Sequence, residues 1–119
     1  MKTSLTNELI SEVLNVNVQT KIHKDDLCSD NILIYWEFDG YHNKCRNINI
    51  YELAHKCKEW ASTHNYSVMS GWEMTHWGGA YRVDVYRNSN NILFSMSTVE
   101  TEPDAIFEAC EWIRNKLKG

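Results

Sequence analysis

At 119 residues, the chain has the size of one typical domain and is too short for two separate hydrophobic cores. Hydrophobic residues make up 43% of it, with five tryptophans and a single proline, which excludes an intrinsically disordered chain. The formal charge of -4 disfavours a general phosphate-binding surface, so direct nucleic-acid binding is not expected. No apolar run approaches the roughly 20 residues of a membrane-spanning helix, and the first residues lack a signal-peptide pattern. We therefore expect a cytoplasmic protein without membrane contact.

In the amino-terminal half, the sequence predicts a helix, a strand and a loop, in that order. Apolar residues at helical spacing between Leu5 and Val13 indicate a short first helix. A strand is predicted at Ile32–Phe38, where apolar and β-branched residues concentrate. The polar stretch Asp39–Asn47 is interpreted as a loop that leads to the next helix.

The central helix has the clearest sequence pattern. Asn49, followed three residues later by Glu52, is a variant of the capping box. Apolar residues then recur at a spacing of three and four residues, which predicts a helix at about Asn49–His64. These residues are Ile50, Leu53, Ala54, Cys57, Trp60 and Ala61.

The period of the apolar pattern changes to two after this helix. Alternation over Tyr66–Met74, Tyr81–Tyr86 and Ile92–Ser97 predicts three strands. Trp77, Gly78 and Gly79 separate the first two strands, and Asn88–Asn91 separates the last two, so tight turns are expected at both places. The three strands are predicted to form an antiparallel meander.

A last helix is predicted to start at the capping sequence around Thr101 and to run to about Leu117. Its apolar stripe needs a sheet beneath it, as the stripe of the central helix does. The fold class is therefore α+β: one domain over residues 1–119, with an antiparallel meander of three to four strands packed against two or three amphipathic helices.

The densest group of possible metal ligands is His42, Cys45, His55 and Cys57. His55 and Cys57 lie two residues apart on a helix, about 200° around its axis, so they cannot close one tetrahedral site. We expect no metal and no other cofactor.

Catalytic patterns are equally poorly supported. Cys57 and Cys110 fall within apolar helical stripes, where cysteine packs as a small hydrophobe, and no catalytic sequence surrounds Cys28 or Cys45. Neighbouring carboxylates such as Glu37 and Asp39 need not face a common substrate. The phosphate-binding and serine-nucleophile motifs are absent. The sequence therefore favours a protein that is not an enzyme.

Two groups of residues are candidates for a partner-binding surface. Trp72, His76, Trp77 and Tyr81 crowd around one predicted hairpin, and aromatic residues often anchor interfaces. Trp72 and Tyr81 are expected mainly in the core, which leaves His76 and Trp77, at the turn, as the interface candidates.

The second group is acidic. Glu108 and Glu111 lie one turn apart on the last helix, without an intervening basic residue. They are expected to lie off the apolar stripe, on a solvated face or against a partner.

Two blocks of the sequence carry a resemblance. The run Ile50–Ala61 and the closing run Glu102–Ile113 are similar to blocks of small phage and prophage proteins, and the element order resembles the phage α/β/α sandwich domain. This resemblance implies no catalytic residues. By analogy it implies an inhibitor of a host defence system, comparable to an anti-CRISPR protein, acting on a defence complex in the cytoplasm of an infected bacterium.

An alternative from another class is an oligomeric sponge that sequesters a cyclic nucleotide signal. Such a sponge needs cationic groups beside aromatic rings, and only Arg82 and Arg87 on the predicted meander could supply them. Assembly into a homo-oligomer is left open by the sequence.

Overall fold

The computed structural model describes residues 5–22, 31–76, 78–87, 91–98 and 100–119. Within these ranges the chain forms three helices and six strands in the order α1, β1–β3, α2, β4–β6, α3. The helices are α1 (Asn7–Leu14), α2 (Ile50–Thr63) and α3 (Glu102–Lys118). The strands are β1 (Val18–Ile22), β2 (Ile32–Phe38), β3 (Asn43–Asn49), β4 (Ser67–Thr75), β5 (Gly78–Tyr86) and β6 (Ile92–Thr98).

The strands form two separate antiparallel meanders of three strands each. The first sheet has the order β1-β2-β3 and the second the order β4-β5-β6. The predicted α+β class and the predicted meander after the central helix are both confirmed. None of the helices in the described ranges is long and apolar enough to cross a membrane.

The prediction of a loop at Asp39–Asn47 is wrong. Most of this stretch is the end of a hairpin and strand β3, which pairs with β2 from Ile32↔Asn49 to Phe38↔Asn43. Residues 43–47 are all exposed, so no apolar alternation marks this strand in the sequence. The strand exists because its backbone pairs with the apolar strand β2.

The turn of this hairpin does have a local sequence signal. The Asp39 carboxylate accepts hydrogen bonds from the backbone N–H groups of Tyr41 and His42, both at 2.8 Å. Gly40 has φ 101°, a conformation that glycine adopts without strain. Asp-Gly is a common hairpin turn sequence, and strand β3 follows from it.

All three helices begin at a capping side chain. Thr6 accepts the N–H of Leu9, Asn49 accepts those of Tyr51 and Glu52, and Thr101 accepts that of Asp104. The predicted starts of the central and last helices are thereby confirmed. Each cap satisfies backbone donors that would otherwise lack an intrahelical partner.

The core lies between the helices and one face of each sheet. Leu33, Tyr35 and Ile48 bring the first sheet into it, and Val83 and Val85 bring the second. The opposite face of each sheet is called the outer face below.

The acidic pair on α3 does not form the predicted surface. Glu111 is only 7% exposed and Glu108 is half-buried. The Glu111 carboxylate accepts the backbone N–H of Thr6 at 2.7 Å and lies 3.3 Å from the Arg114 guanidinium. The prediction is wrong for Glu111 because α1 packs on the side of α3 that the narrow apolar stripe left open.

Replacing Glu111 with glutamine should lower the free energy of unfolding by about 3 kcal/mol, because it leaves the buried guanidinium of Arg114 without its counter-charge. Glu108→Gln on the same helix is the matched control, with a change of at most about 0.5 kcal/mol. Urea denaturation followed by circular dichroism measures both. Equal stability of the two variants would contradict a structural role for Glu111.

Candidate functional site

The hairpin of β4 and β5 extends beyond the part of the second sheet that α3 covers. Its register runs from Ser67↔Tyr86 to Thr75↔Gly78, so both strands have nine residues. Val68 and Val85, at the end near the helix layer, are buried. At the other end Trp72 is 58% exposed and Met74 is 71% exposed, on the same face as Val68. The apolar face of this strand therefore continues past the core into solvent.

Trp72 is exposed on one side and tightly packed on the other. A Cβ atom built on Gly79 would lie only 1.8 Å from atom Cζ2 of the Trp72 ring, so the indole covers the glycine backbone. The Tyr81 ring meets the indole in an edge-to-face arrangement, with ring centroids 4.8 Å apart. Both contacts come from β5, and together they fix the indole against the sheet.

The aromatic side chains of this hairpin are more exposed than the sequence predicts. Trp72, expected in the core, is exposed, and Tyr81 is half-buried. His76 is exposed at the turn, as its predicted interface role requires. Trp77, the other predicted interface residue, lies outside the described residues. The sequence signal for the position of Trp72 is Gly79, which has no side chain and lies in strand β5, not in the turn where the sequence predicts it.

The outer face of the second sheet carries a groove of about 450 Å³. Gly71 forms part of its floor, and the side chains around it come from β4 and β5. The Arg82 guanidinium lies between two carboxylates, with Nε 3.0 Å from Asp84 Oδ1 and Nη1 3.2 Å from Glu73 Oε2. These bonds raise the pKa of Arg82, and the three side chains together carry a net negative charge.

Asp84 is held ionised by its neighbours. Partial burial opposes ionisation, but hydrogen bonds from Ser95 at 2.7 Å and from Arg82 outweigh it and lower the pKa of the Asp84 carboxyl. The groove is therefore built around a pre-formed ion network and is a poor place for a phosphate group.

The two candidate arginines do not converge. Arg82 points to the outer face, whereas Arg87 donates to the hydroxyl of Tyr66, which is buried on the core side, at 3.3 Å. The Arg87 guanidinium also lies 5.0 Å from the centroid of the Tyr66 ring. Each arginine is thus engaged by residues of its own side of the sheet.

The cysteines and histidines lie in separate environments. Cys57 and Cys110 are fully buried, and the contact with Cys110 together with burial raises the pKa of the Cys57 thiol well above its ordinary value. His55 is exposed beside Glu59, on the other side of α2, as the helical spacing predicted. Cys45 is exposed and Cys28 lies outside the described residues. In the ranges that the structure describes, no three His, Cys, Asp or Glu side chains are placed to hold a metal ion.

Comparisons of the chain with protein-family models, with curated proteins and with solved structures find no match.

Substituting Gly79 with alanine should displace the Trp72 indole, because the new methyl group would occupy the position of the ring. With fluorotryptophan incorporated, the five tryptophans give separate ¹⁹F signals, and Trp72→Phe identifies the one to follow. We expect a large shift of that signal in Gly79→Ala. Gly71→Ala, where an added Cβ meets open space, is the control. An unmoved Trp72 signal in Gly79→Ala would contradict the packing described above.

Removing the Ser95 hydroxyl should raise the pKa of Asp84 toward its ordinary value, because a hydrogen bond to the ionised form is lost. The carboxyl ¹³C shift of Asp84, followed by NMR as the pH is lowered, measures this in Ser95→Ala. Since the folded pKa is the depressed one, the stability from this carboxylate is present above the ordinary pKa. It is lost as the pH falls through the folded pKa. Ser97→Ala on the same strand serves as the control.

Proposed function

We propose that this chain is a non-enzymatic binding protein that acts through protein–protein contact at the aromatic end of the β4–β5 hairpin. The single observation that carries this proposal is the position of Trp72, which is fixed by Gly79 and Tyr81 yet 58% exposed. Met74, at 71% exposure on the same face, extends the apolar surface toward the turn.

Energetic arguments favour a protein partner at this surface. Tryptophan and tyrosine are the residues most enriched among interface hot spots, where truncation of one side chain costs about 2 kcal/mol or more. An indole already held in its rotamer loses little conformational entropy on binding. A partner that covers Trp72 and Met74 therefore gains apolar burial without ordering the hairpin first.

The class of partner follows from the resemblance of the two helical blocks to phage proteins. On that basis the partner is a complex of a bacterial defence system, which the chain inhibits in the cytoplasm of the infected host. Glu111 takes part in the packing of α1 on α3 and is not available to a partner. The principal binding surface is therefore the hairpin that carries His76, and not the acidic helix.

The alternative, a sponge for a cyclic nucleotide, has less support. A bound phosphate needs cationic or amide donors that are free to face it. Arg82 is engaged by Asp84 and Glu73, and Arg87 by Tyr66. A nucleotide would have to replace these contacts within a surface of net negative charge.

Trp72→Ala should weaken binding to a candidate defence complex by at least about 30-fold, the loss expected at an interface hot spot. Met69→Ala is the matched control, since Met69 is 59% exposed on the same strand but on the outer face. Isothermal titration with both variants, after circular dichroism has shown that they are folded, measures the difference. Equal affinities would reject the hairpin as the binding surface.

The same titrations with a panel of cyclic nucleotides test the alternative. Nucleotide binding that is lost in Arg82→Ala or Arg87→Ala and kept in Trp72→Ala would replace the protein-binding proposal with the sponge.

A further inference from the structure

The central strand of the first sheet is apolar on both faces. Leu33 and Tyr35 point into the core and are buried. The alternate positions point to the outer face, where Trp36 remains 40% exposed and Phe38 remains 38% exposed. These outer positions are Ile32, Ile34, Trp36 and Phe38, called the β2 row below. A strand with apolar residues on both faces is typical of a sheet that is covered on both sides.

The residues of strand β3 that pair with the β2 row are all uncharged. They are Asn49, Asn47, Cys45 and Asn43, which pair in register with the four residues of the row. The charged residues of this hairpin, such as Glu37 and Arg46, alternate to the other face, where they form an ion pair of 2.8 Å. The outer face of the second sheet differs, because it carries Glu73, Arg82 and Asp84.

We propose that the β2 row binds the same face of a second copy of this chain, so that two first sheets stack face to face. Electrostatics favours a second copy as the occupant. The chain has a formal charge of -4, so most ways of joining two copies oppose like charges. The part of this face on β2 and β3 brings only apolar, asparagine and cysteine side chains together across a two-fold axis. A charged partner would find no complementary group there.

The size of the face sets the strength of the pairing. Seven residues at about 3.3 Å and three strands at about 4.8 Å give a planar footprint of roughly 300 Å². A standard interface buries about 800 Å² per partner, so this contact belongs to the weak, concentration-dependent class. Stacked sheets pack about 10 Å apart, a separation that the Trp36 and Phe38 side chains fill.

Sedimentation equilibrium over about two decades of protein concentration tests this pairing in the presence of a reductant. The average mass should rise from that of one chain toward that of two. Trp36→Lys should raise the dissociation constant at least about tenfold, because it places an unpaired charge in the apolar contact. Asn47 lies at an exposed position beside the β2 row, and Asn47→Lys should also raise the dissociation constant while leaving the row intact. Met69→Lys, at an exposed position on the other sheet, should leave the dissociation constant unchanged.

A mass of one chain throughout the range would overturn the proposal, as would a dimer that Trp36→Lys and Asn47→Lys leave intact. Circular dichroism of each variant shows whether it is folded.

The proposal does not depend on the function of the hairpin, because the titration with a defence complex uses Trp72, on the other sheet. If the dimer forms but the chain binds no defence complex, the proposed function alone is rejected. If the chain binds a defence complex through Trp72 but does not dimerise, the pairing alone is rejected.

Discussion

The close packing of α2 against α3 is the contact on which the rest of the structure depends. The Cys110 thiol reaches within 3.6 Å of the carbonyl oxygen of Cys57, so the two helices meet through small side chains. Ala61 on α2 and Ala109 on α3 are also fully buried. Strand β3 continues directly into α2, and α3 packs on β4–β6. This helix pair, together with α1, which packs on β1, gives both sheets their core.

A helix layer of this size leaves parts of both sheets outside the core. At the second sheet it produces the exposed apolar end of the β4–β5 hairpin, where Gly79 and Tyr81 of the facing strand hold Trp72. At the first sheet it leaves Trp36 and Phe38, at two of the outer positions of β2, exposed. Glu111 is buried where α1 meets α3, and its carboxylate accepts the backbone N–H of Thr6 there.

The sequence predicts those elements whose signals are local. The caps at Asn49 and Thr101 place the starts of α2 and α3, and the alternation after Tyr66 predicts the second meander. Strand β3 carries no apolar alternation over residues 43–47, which are all exposed, so the sequence does not predict it, although it pairs in register with β2. For the site, composition indicates an aromatic hairpin, but the exposure of Trp72 depends on where α3 begins over the sheet. The hydroxyl of Ser70 donates to the carboxylate of Glu102, the first residue of α3. The burial of Glu111 depends in the same way on the docking of α1, a contact between residues 105 positions apart.

The central claim is that Trp72 forms a pre-organised binding surface, and the order parameter of its indole N–H tests this most directly. In the free protein, ¹⁵N relaxation of the Trp72 indole should give an order parameter near that of rigid backbone, about 0.8 or higher. That result would mean that the contacts with Gly79 and Tyr81 hold the exposed ring in one orientation. A value below about 0.6, typical of a flexible group, would contradict the claim.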